Sequence, residues 1–282
     1  MRLLVTGGRG FLGQRTAVYF EELGWQVLAP SHKELDITDE TGVFRYFQEN
    51  RPHAVIHTAA LSDTGLCQRD PQGSARINVD GAVFLAKACR EFGAKLVFCS
   101  SDQVYFRSPS PGPHRETELL TPGNVYGSQK LRAEQRCLEI DPDTVCLRLS
   151  WMYARQELPG QHGHFLATLK AALADEAKPL TFPIYDRRGL TDVQDVVKNL
   201  PKALELPGGV WNFGSENRES TYETVKSVLD SLGSDAVNRL QPNREAFADC
   251  PRDISMDLTK LNAAGITFPT AFDALYHALK TA

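Results

Sequence analysis

Three glycines that directly follow an apolar run near the start of the chain constrain its fold most. Leu3-Leu4-Val5-Thr6 is typical of a buried strand, and Gly7, Gly10 and Gly13 follow it before a helical stretch. Glycines at this spacing allow a tight turn, close approach of the backbone to a pyrophosphate, and close packing of the next helix on the sheet. Glycine patterns also occur at ordinary strand–turn–helix corners. Because this one follows the first strand and opens a helix, it favours a dinucleotide-binding site.

Short apolar runs alternate with longer amphipathic stretches across the first half of the chain. Along residues 71–92 apolar side chains recur at steps of three and four, as on one helix face, and Gly93 marks the end of that helix. The alternation predicts an α/β fold with a doubly wound parallel sheet of the Rossmann type. The predicted strands are residues 2–6, 26–29, 54–57, 95–100 and 144–149.

The alternation becomes irregular after about residue 151, where Pro- and Gly-rich stretches separate shorter elements. We expect residues 1–150 to form a nucleotide-binding domain and residues 151–282 to form mainly a smaller, interleaved substrate lobe. Within that second part, residues 189–213 are expected to return to the first domain. His162 and His164 flank a glycine in a predicted loop, and neither is assigned a catalytic role.

Composition excludes several classes of protein. The net charge of -4 disfavours a dedicated nucleic-acid binder, which would carry a basic excess. The chain contains no run of roughly 18 apolar residues, so no membrane partner is expected. We expect no secretory leader before the first strand, and the six cysteines lack disulfide or metal-ligand spacing. We therefore expect a cytoplasmic protein with reduced thiols and no protein-built metal site.

The end of the second predicted strand bears on the choice between NAD and NADP. NAD-preferring sites place an acid there for the ribose 2′-hydroxyl, whereas this strand runs into Ala29-Pro30-Ser31-His32-Lys33. The cations in that run, together with Arg9, can meet a 2′-phosphate, so NADP is favoured while NAD stays open. Asp36 is a candidate acceptor for the adenine amino group, and Asp39 is a candidate cap for a helix beginning at Glu40.

Two groups of polar residues are candidates for catalysis. Tyr126 and Lys130 are four residues apart, so both lie on one face of a helix. An ammonium near a phenol is expected to lower the phenol pKa from about 10, which would make Tyr126 a general acid/base. The apolar fourth strand ends in Ser100-Ser101, at the sheet edge where ligands bind. We expect Ser101 to hydrogen-bond the substrate carbonyl and Ser100 to be a turn or helix-cap serine.

Taken together, these motifs resemble the extended short-chain dehydrogenase/reductase superfamily and, within it, the dTDP-4-dehydrorhamnose reductase family. The resemblance covers essentially the whole chain. Besides the glycine turn and Tyr126/Lys130, it is carried by His57-Thr58-Ala59-Ala60, Asn78-Val79-Asp80-Gly81, Leu35-Asp36-Ile37-Thr38-Asp39, Ser100-Ser101-Asp102-Gln103-Val104-Tyr105, Arg148-Leu149-Ser150-Trp151-Met152-Tyr153, Val193-Gln194-Asp195-Val196 and Asp257-Leu258-Thr259-Lys260-Leu261. It implies that Tyr126 donates the proton, that Lys130 holds the nicotinamide ribose and tunes Tyr126, and that Ser101 polarises the substrate carbonyl.

The resemblance also implies binding residues and partners. Those implied for the cofactor are Gly7, Arg9, Gly10, Phe11, Leu12, Gly13, Asp36, Ile37, Thr58, Ala59, Ala60, Asn78 and Lys130. Those implied for a nucleotide-sugar substrate are Ser101, Asp102, Tyr126, Trp151 and Arg252. For Trp151 a buried core position is an equally good interpretation of the sequence. Homodimers are common in this superfamily, so a homodimer is an open expectation.

The predicted function is NAD(P)H-dependent reduction of a nucleotide-linked 4-keto sugar, although three stretches depart from the family pattern. These are residues 61–65, Gln103 where tyrosine is usual, and Cys250-Pro251-Arg252 where Arg-Pro is usual. A dehydratase needs an Asp-Glu pair where this chain has Asp102-Gln103, and an amide cannot be the base. Two alternatives stay open. One is a nucleotide-sugar epimerase, and the other is a non-catalytic NADP-binding regulatory subunit resembling that of methionine adenosyltransferase.

Overall fold

The structure, a computed structural model, describes residues 1–158, 163–177 and 180–280. The chain divides into two compact units, each built from three separate stretches. Unit 1 contains Met1–Val104, Thr121–Arg148 and Val197–Trp211, and unit 2 contains Tyr105–Leu120, Leu149–Val196 and Asn212–Ala282. The predicted division into domains at residue 150 stays a prediction, and His162 lies outside the described residues.

The strands alternate with helices through the first half of the chain. In chain order they are β1 (Arg2–Thr6), β2 (Gln26–Leu28), β3 (Ala54–His57), β4 (Lys95–Ser101), β5 (Val145–Leu149), β6 (Trp151–Tyr153), β7 (Leu180–Pro183), β8 (Asp186–Arg187), β9 (Leu190–Asp192), β10 (Gly209–Phe213), β11 (Leu240–Asn243) and β12 (Arg252–Asp253). The helices are α1 (Phe11–Glu22), α2 (Glu40–Asn50), α3 (Thr64–Arg69), α4 (Pro71–Ala75), α5 (Gly81–Phe92), α6 (Val125–Ile140), α7 (Phe165–Ala174), α8 (Val193–Ala203), α9 (Thr221–Ser231), α10 (Thr259–Ala263) and α11 (Ala271–Lys280). No helix among the described residues is both long enough and apolar enough to cross a membrane.

A six-stranded sheet positions the functional residues of unit 1. Its strand order is β10-β5-β4-β3-β1-β2, and β1 pairs in parallel with both β2 and β3. The chain therefore moves outward from β1 to β2 and then crosses to the other side at β3. In open parallel sheets a ligand binds beside the carboxyl ends of the strands at such a reversal, which here lies between β1 and β3. The predicted doubly wound α/β fold is confirmed.

The strands of this sheet form because their apolar runs are buried on both faces. Leu3, Leu4 and Val5 of β1 have no exposed surface, and every residue of β3 is buried. Ala82, Leu85, Ala86, Ala88 and Cys89 of α5 pack with Val55 and Phe98 of the sheet and Phe47 of α2 in one core cluster. Gly93, at φ +69°, ends α5 as the sequence predicted.

Unit 2 has its own core and shorter strand pairs. β6 pairs with β9, β7 with β11 and β8 with β12, all in parallel. The apolar faces of α7, α9 and α11 pack with β6, β7, β9 and β11 in a second core cluster. Helix α9 begins with a capping box of Ser220 and Glu223, and His164 Nδ1 accepts a 3.2 Å hydrogen bond from the Ala167 backbone N–H at the start of α7.

Predicted and observed elements differ at few points in unit 1. Strands β1 and β3 have the predicted bounds, and β2, β4 and β5 differ from prediction by one residue at one end. The single helix predicted over residues 71–92 is α4 and α5 joined by a π-helical turn at Arg76–Asp80. This turn contains Asn78, whose buried side chain is fixed by partners outside the helix. Turns of this kind recur at functional sites.

Candidate active site

The turn after β1 is closed by backbone contacts that leave no room for side chains. Gly7 has φ +69°, and a Cβ there would lie 2.8 Å from the Ala59 Cα. A Cβ on Gly13 would lie 2.2 Å from the Gly7 carbonyl oxygen. Gly10 is the N-cap residue of α1 and brings no side chain to the helix start. The residues present therefore form the close-approach cradle that a dinucleotide pyrophosphate requires.

A cavity of about 450 Å³ opens beside this turn. Its volume lies in the range of small-molecule sites. The predicted cofactor residues that line it are Gly7, Arg9, Gly10, Ile37, Thr58, Ala59 and Ala60. Of the described residues, Phe11, Leu12, Gly13, Asp36, Asn78 and Lys130 were also predicted but do not line this cavity. The cavity thus joins the glycine turn to the end of β3, at the reversal in strand order.

An acid that the sequence reasoning missed lies beyond β2. The carboxylate of Glu34 accepts 2.7 Å hydrogen bonds from the Ser31 Oγ and backbone N–H. These bonds lower the pKa of Glu34, and the charge of Arg9 lowers it further. Ser31-x-x-Glu34 has the spacing of a capping box, which is the signal that would have revealed this pair. A cofactor 2′-phosphate would therefore meet Arg9 with a carboxylate already nearby.

Asp36 and Asp39 lie on either side of Thr38, just before α2, and their side chains differ in what they contact. Asp36 Oδ1 accepts hydrogen bonds from the Thr38 backbone N–H at 2.9 Å and the Thr38 Oγ1 at 2.8 Å, which lower its pKa. Both contacts use Oδ1, and the predicted contact of Asp36 with the adenine amino group stays a prediction. Asp39 is the N-cap residue of α2, but its side chain makes no capping hydrogen bond, so the predicted capping role is wrong.

The two serines at the end of β4 have different partners. Ser100 is buried, and its Oγ donates to the carboxylate of Glu134, which forms a buried ion pair with Arg148. The predicted turn or cap role of Ser100 is therefore wrong, because this contact anchors α6 to the sheet. Ser101 Oγ donates a 3.2 Å hydrogen bond to Asp102 and accepts one of the same length from the Gln103 backbone N–H.

Helix α6 begins against the backbone that follows β4. Asn124 caps it by accepting a 2.7 Å hydrogen bond from the Gly127 N–H, and its amide donates a 3.0 Å bond to Gln103 Oε1. A Cβ on Gly127 would lie 2.3 Å from the Gln103 carbonyl oxygen. The sequence reasoning missed these supports. They place Tyr126, in the first turn of α6, close enough to Ser101 and Asp102 for both to affect its pKa.

The phenol of Tyr126 holds its proton. Burial raises its pKa and the Asp102 carboxylate raises it further, whereas the Ser101 hydroxyl opposes them with a smaller effect. The predicted net lowering of the Tyr126 pKa is wrong, because burial and the nearby carboxylate outweigh any stabilisation of the phenolate by the Lys130 ammonium. Tyr126 is therefore protonated at neutral pH, which is the form that a carbonyl reduction needs in its proton donor, although the raised pKa makes the phenol a weaker acid.

Lys130 lies one turn after Tyr126 and is 2% exposed. Its Nζ donates a 2.8 Å hydrogen bond to the Cys99 carbonyl oxygen. The same nitrogen lies 4.7 Å from the ring centroid of Phe98 and 5.8 Å from that of Tyr126. Burial lowers its pKa to about 8. The Lys130 amine is therefore mostly protonated and positively charged at neutral pH, and it loses its proton at mildly alkaline pH.

Asn78 supports the segment after β3. Its Oδ1 accepts a 2.9 Å hydrogen bond from the Leu61 N–H, and its Nδ2 donates to the Leu61 carbonyl at 3.0 Å and to Gln129 Oε1 at 2.8 Å. The structure thus places Asn78 behind the Thr58–Ala60 wall of the cavity. Its predicted contact with the cofactor stays a prediction.

The two other predicted substrate residues lie in unit 2. Trp151 is 37% exposed, so it is not a buried core aromatic, and the Arg188 guanidinium lies 4.9 Å over its ring. Arg252 donates two hydrogen bonds, of 2.7 and 2.8 Å, to Asp186 and lies 4.0 Å over the ring of Phe247. Its role toward a phosphate stays a prediction, and only its remaining N–H groups are available for it.

The arrangement in unit 1 supports general-acid chemistry. It combines a phenol that keeps its proton, an ammonium one helical turn away and a serine hydroxyl beside the phenol. Within the ranges that the structure describes, no group of three or more His, Cys, Asp or Glu residues is arranged to hold a metal ion. The six cysteines are free thiols.

Comparison with known proteins finds a matching family model, curated relatives and solved structures of similar fold. A family model described as the RmlD substrate binding domain matches residues 1–282. The chain is 26% identical to methionine adenosyltransferase 2 subunit beta of Pongo abelii, over 96% of this chain and 84% of that protein. It is 27% identical to dTDP-4-dehydrorhamnose reductase of Aggregatibacter actinomycetemcomitans, over 93% of this chain and 92% of that protein. The crystal structure of dTDP-4-dehydrorhamnose reductase from Bacillus anthracis in complex with NADP is similar in fold, with a TM-score of 0.86, 24% identity and coverage of 100% of this chain and 98% of that one.

Proposed function

The chain belongs to the RmlD substrate binding domain family, and we propose that it is an NADPH-dependent reductase of a nucleotide-linked 4-keto sugar. Its reaction resembles that of dTDP-4-dehydrorhamnose reductase, the name of one of its curated relatives. One observation carries the proposal. Unit 1 combines a glycine turn shaped for a dinucleotide with Tyr126, a buried phenol that keeps its proton.

The residues of unit 1 divide the chemistry between them. NADPH supplies the hydride when bound. Tyr126 donates the proton to the carbonyl oxygen, and the positive charge of Lys130 stabilises the phenolate that remains. Ser101, beside Tyr126, hydrogen-bonds the same carbonyl oxygen. Asp102 raises the pKa of Tyr126, so the phenol is protonated when the substrate binds, and the Lys130 charge offsets the cost of forming the phenolate.

The cradle after β1 orients the cofactor through its backbone. Gly7 and Gly13 permit the close approach of the pyrophosphate, and Gly10 keeps the start of α1 clear of side chains. Arg9 lies in the wall of the same cavity and favours the 2′-phosphate of NADP over the hydroxyl of NAD. Glu34 opposes part of that attraction and so reduces the preference for NADP, which leaves NAD as an alternative cofactor.

The remaining roles rest on the family resemblance. Trp151 contacts the sugar nucleotide through its exposed ring, and Arg252 contacts a phosphate through the N–H groups that Asp186 does not use. The protein works in the cytoplasm, where its thiols stay reduced. A homodimer is the expected assembly, by analogy with the superfamily.

A second candidate function is supported by the relatives named methionine adenosyltransferase 2 subunit beta. In that case the chain binds NADP and acts as a regulatory subunit without turnover. The complete set of Ser101, Tyr126 and Lys130 favours the reductase, because a binding subunit needs no proton donor. A nucleotide-sugar epimerase would use the same residues but would leave the cofactor unchanged after each turnover.

One assay separates the three functions. The protein is mixed with NADPH and dTDP-4-dehydrorhamnose, and the reduced-nicotinamide absorbance is followed. A reductase consumes NADPH in step with sugar reduction. A parallel incubation with NAD⁺ and a nucleotide sugar that carries a C4 hydroxyl detects an epimerase, because the oxidised cofactor takes the hydride from C4 and returns it to the resulting ketone with no net change in cofactor, and chromatography separates the two sugars. Binding of NADPH with no sugar conversion, for this and related ketoses, would instead favour the regulatory subunit.

A further inference from the structure

His57, the last residue of β3, is a buried histidine to which the proposed reaction assigns no role. It is 1% exposed, and its Nδ1 lies 2.7 Å from the Thr6 Oγ1. Its ring stacks on Phe98, with centroids 5.6 Å apart and an angle of 29° between the planes. Thr6 and Phe98 are its register partners on β1 and β4. The imidazole is therefore fixed from both neighbouring strands.

The other ring nitrogen of His57 has an unmet hydrogen-bonding capacity. Its Nε2 is buried and has no hydrogen-bond partner among the described residues. Buried polar atoms in native proteins nearly always have a protein or water partner. Burial, and then the charge of Lys130, lower the pKa of His57 to about 3. The ring is thus neutral and carries one proton, so one of its nitrogens is an acceptor.

The Lys130 ammonium lies over Phe98 and has more hydrogen-bond donors than its bond to Cys99 uses. Its Nζ lies over Phe98, on which His57 stacks, and the hydrogen bond to Cys99 uses one of three ammonium donors. The other titratable groups that act on its pKa are Cys99, Glu134, Cys137 and Cys67. The pKa of each of those three thiols is raised, so they stay uncharged at neutral pH, and Glu134 forms an ion pair with Arg148.

We propose that His57 is a positioning residue for Lys130: its Nε2 accepts a hydrogen bond that comes from the Lys130 ammonium through one buried water. Nδ1–H then donates to Thr6, which fixes the tautomer. The bond stabilises the charged form of Lys130 and directs its remaining donor toward the ribose and Tyr126. The role of Lys130 in turnover rests on the proposed function, so the first experiments measure the titration of Lys130 and the binding of NADPH.

Two substitutions separate the two ring nitrogens. His57→Asn keeps a polar atom near the Nδ1 position, which faces Thr6, and loses the one at Nε2. His57→Gln places a polar atom near Nε2 and loses the one at Nδ1. Thr6→Val removes the Thr6 hydroxyl and leaves the imidazole in place. Circular dichroism and thermal unfolding show whether each variant is folded.

The readouts are the pH at which Lys130 loses its proton, followed by pH-dependent reductive methylation with mass spectrometry, and the Kd for NADPH at pH 8. In His57→Asn we expect the Lys130 titration to move down by about one pH unit and NADPH binding to weaken roughly fivefold to tenfold. His57→Gln is expected to stay within about twofold of the wild type in Kd. An unchanged Lys130 titration in folded His57→Asn would overturn the proposal. Equal losses in all three variants would do the same, because that pattern indicates a purely structural role.

A measurement on the wild-type protein covers the case in which the variants do not fold. Nitrogen-15 NMR of the histidine side chains reports which ring nitrogen of His57 is protonated. The proposal expects protonated Nδ1 and unprotonated Nε2, because only an unprotonated nitrogen accepts a hydrogen bond. A proton on Nε2 would contradict it. These results do not depend on sugar turnover, so failure of the reductase assignment alone would leave them intact.

Discussion

Lys130 and Cys99 are joined by a 2.8 Å hydrogen bond from the lysine Nζ to the backbone carbonyl oxygen of Cys99. The bond connects α6 to β4 just before the two serines that end the strand. It fixes the ammonium in a buried position one turn from Tyr126, where burial lowers its pKa to about 8. The position of this charge therefore makes the proposed reaction sensitive to alkaline pH.

The rate of reduction is expected to fall as pH rises through the pKa of Lys130. The charged form stabilises the phenolate left by Tyr126, and the lowered pKa means that this charge is lost near pH 8 rather than near 10.5. Measurement of kcat between about pH 6 and pH 10 should show a one-proton decline centred close to 8. Lys130→Arg is the control, because a guanidinium keeps its charge throughout this range. A decline at the same pH in that variant would assign it to another group.

Arg9→Ala should weaken NADPH binding more than NADH binding. Loss of one charge-assisted hydrogen bond to the 2′-phosphate corresponds to roughly a tenfold rise in Kd for NADPH, whereas the NADH value should change less than about twofold. Fluorescence titration with each cofactor gives both values. Glu34→Gln is the matched variant, and it should strengthen NADPH binding because it removes the carboxylate near Arg9. An equal loss for both cofactors in Arg9→Ala would exclude Arg9 as the 2′-phosphate contact.

Gly13→Ala should damage both folding and cofactor binding. The added Cβ would lie 2.2 Å from the Gly7 carbonyl oxygen and 2.7 Å from the Thr58 Oγ1, so the packing of α1 on β1 must change. A loss of about 1–3 kcal/mol in the free energy of unfolding is expected from such overpacking. At Gly10 the nearest atom, the Gly7 carbonyl oxygen, is 3.1 Å from the added Cβ, so the contact is tight but less severe and Gly10→Ala should lose less stability to urea than Gly13→Ala. Equal stability of the two variants would show that the turn tolerates a Cβ at both positions.

The glycine turn, the strands β1 and β3 and the Tyr126/Lys130 spacing could be predicted because each depends on residues close together in sequence. The contacts of Ser100 could not, because its partner Glu134 lies on a helix 34 positions later. The direction of the Tyr126 pKa shift depends on burial and on where Asp102 lies, and neither follows from a four-residue spacing.

The contacts of Gln103 could not be predicted from the sequence either. The sequence identifies Gln103 only as a departure from the family pattern. In the fold the Gln103 side chain accepts a hydrogen bond from the Asn124 amide. Its backbone carbonyl oxygen lies so close to position 127 that only glycine fits there. These are tertiary contacts at the start of α6, and they set the position of Tyr126. A local pattern identifies the candidate catalytic residues, whereas the residues that support them become visible only when α6 is packed on the sheet.

His57 should make the fold sensitive to acid. Its pKa is about 3 in the folded protein because of burial, so below about pH 6.5 the unfolded chain binds a proton that the folded chain does not. The contribution of His57 to stability is therefore present at neutral pH and declines as pH falls, by about 2 kcal/mol between pH 7 and pH 5. Urea unfolding of the wild type and His57→Gln at both values gives the difference. An equal loss in the two proteins would show that His57 titrates normally when folded.

The central claim, that Tyr126 is the proton donor of a nucleotide-sugar reductase, is tested most directly by Tyr126→Phe. The measurement is turnover of dTDP-4-dehydrorhamnose with NADPH, together with the Kd for NADPH. Because the substitution removes one hydroxyl and leaves the ring, NADPH should bind within about twofold of the wild-type affinity while kcat falls roughly 10²- to 10⁴-fold. Turnover equal to that of the wild type would contradict the claim.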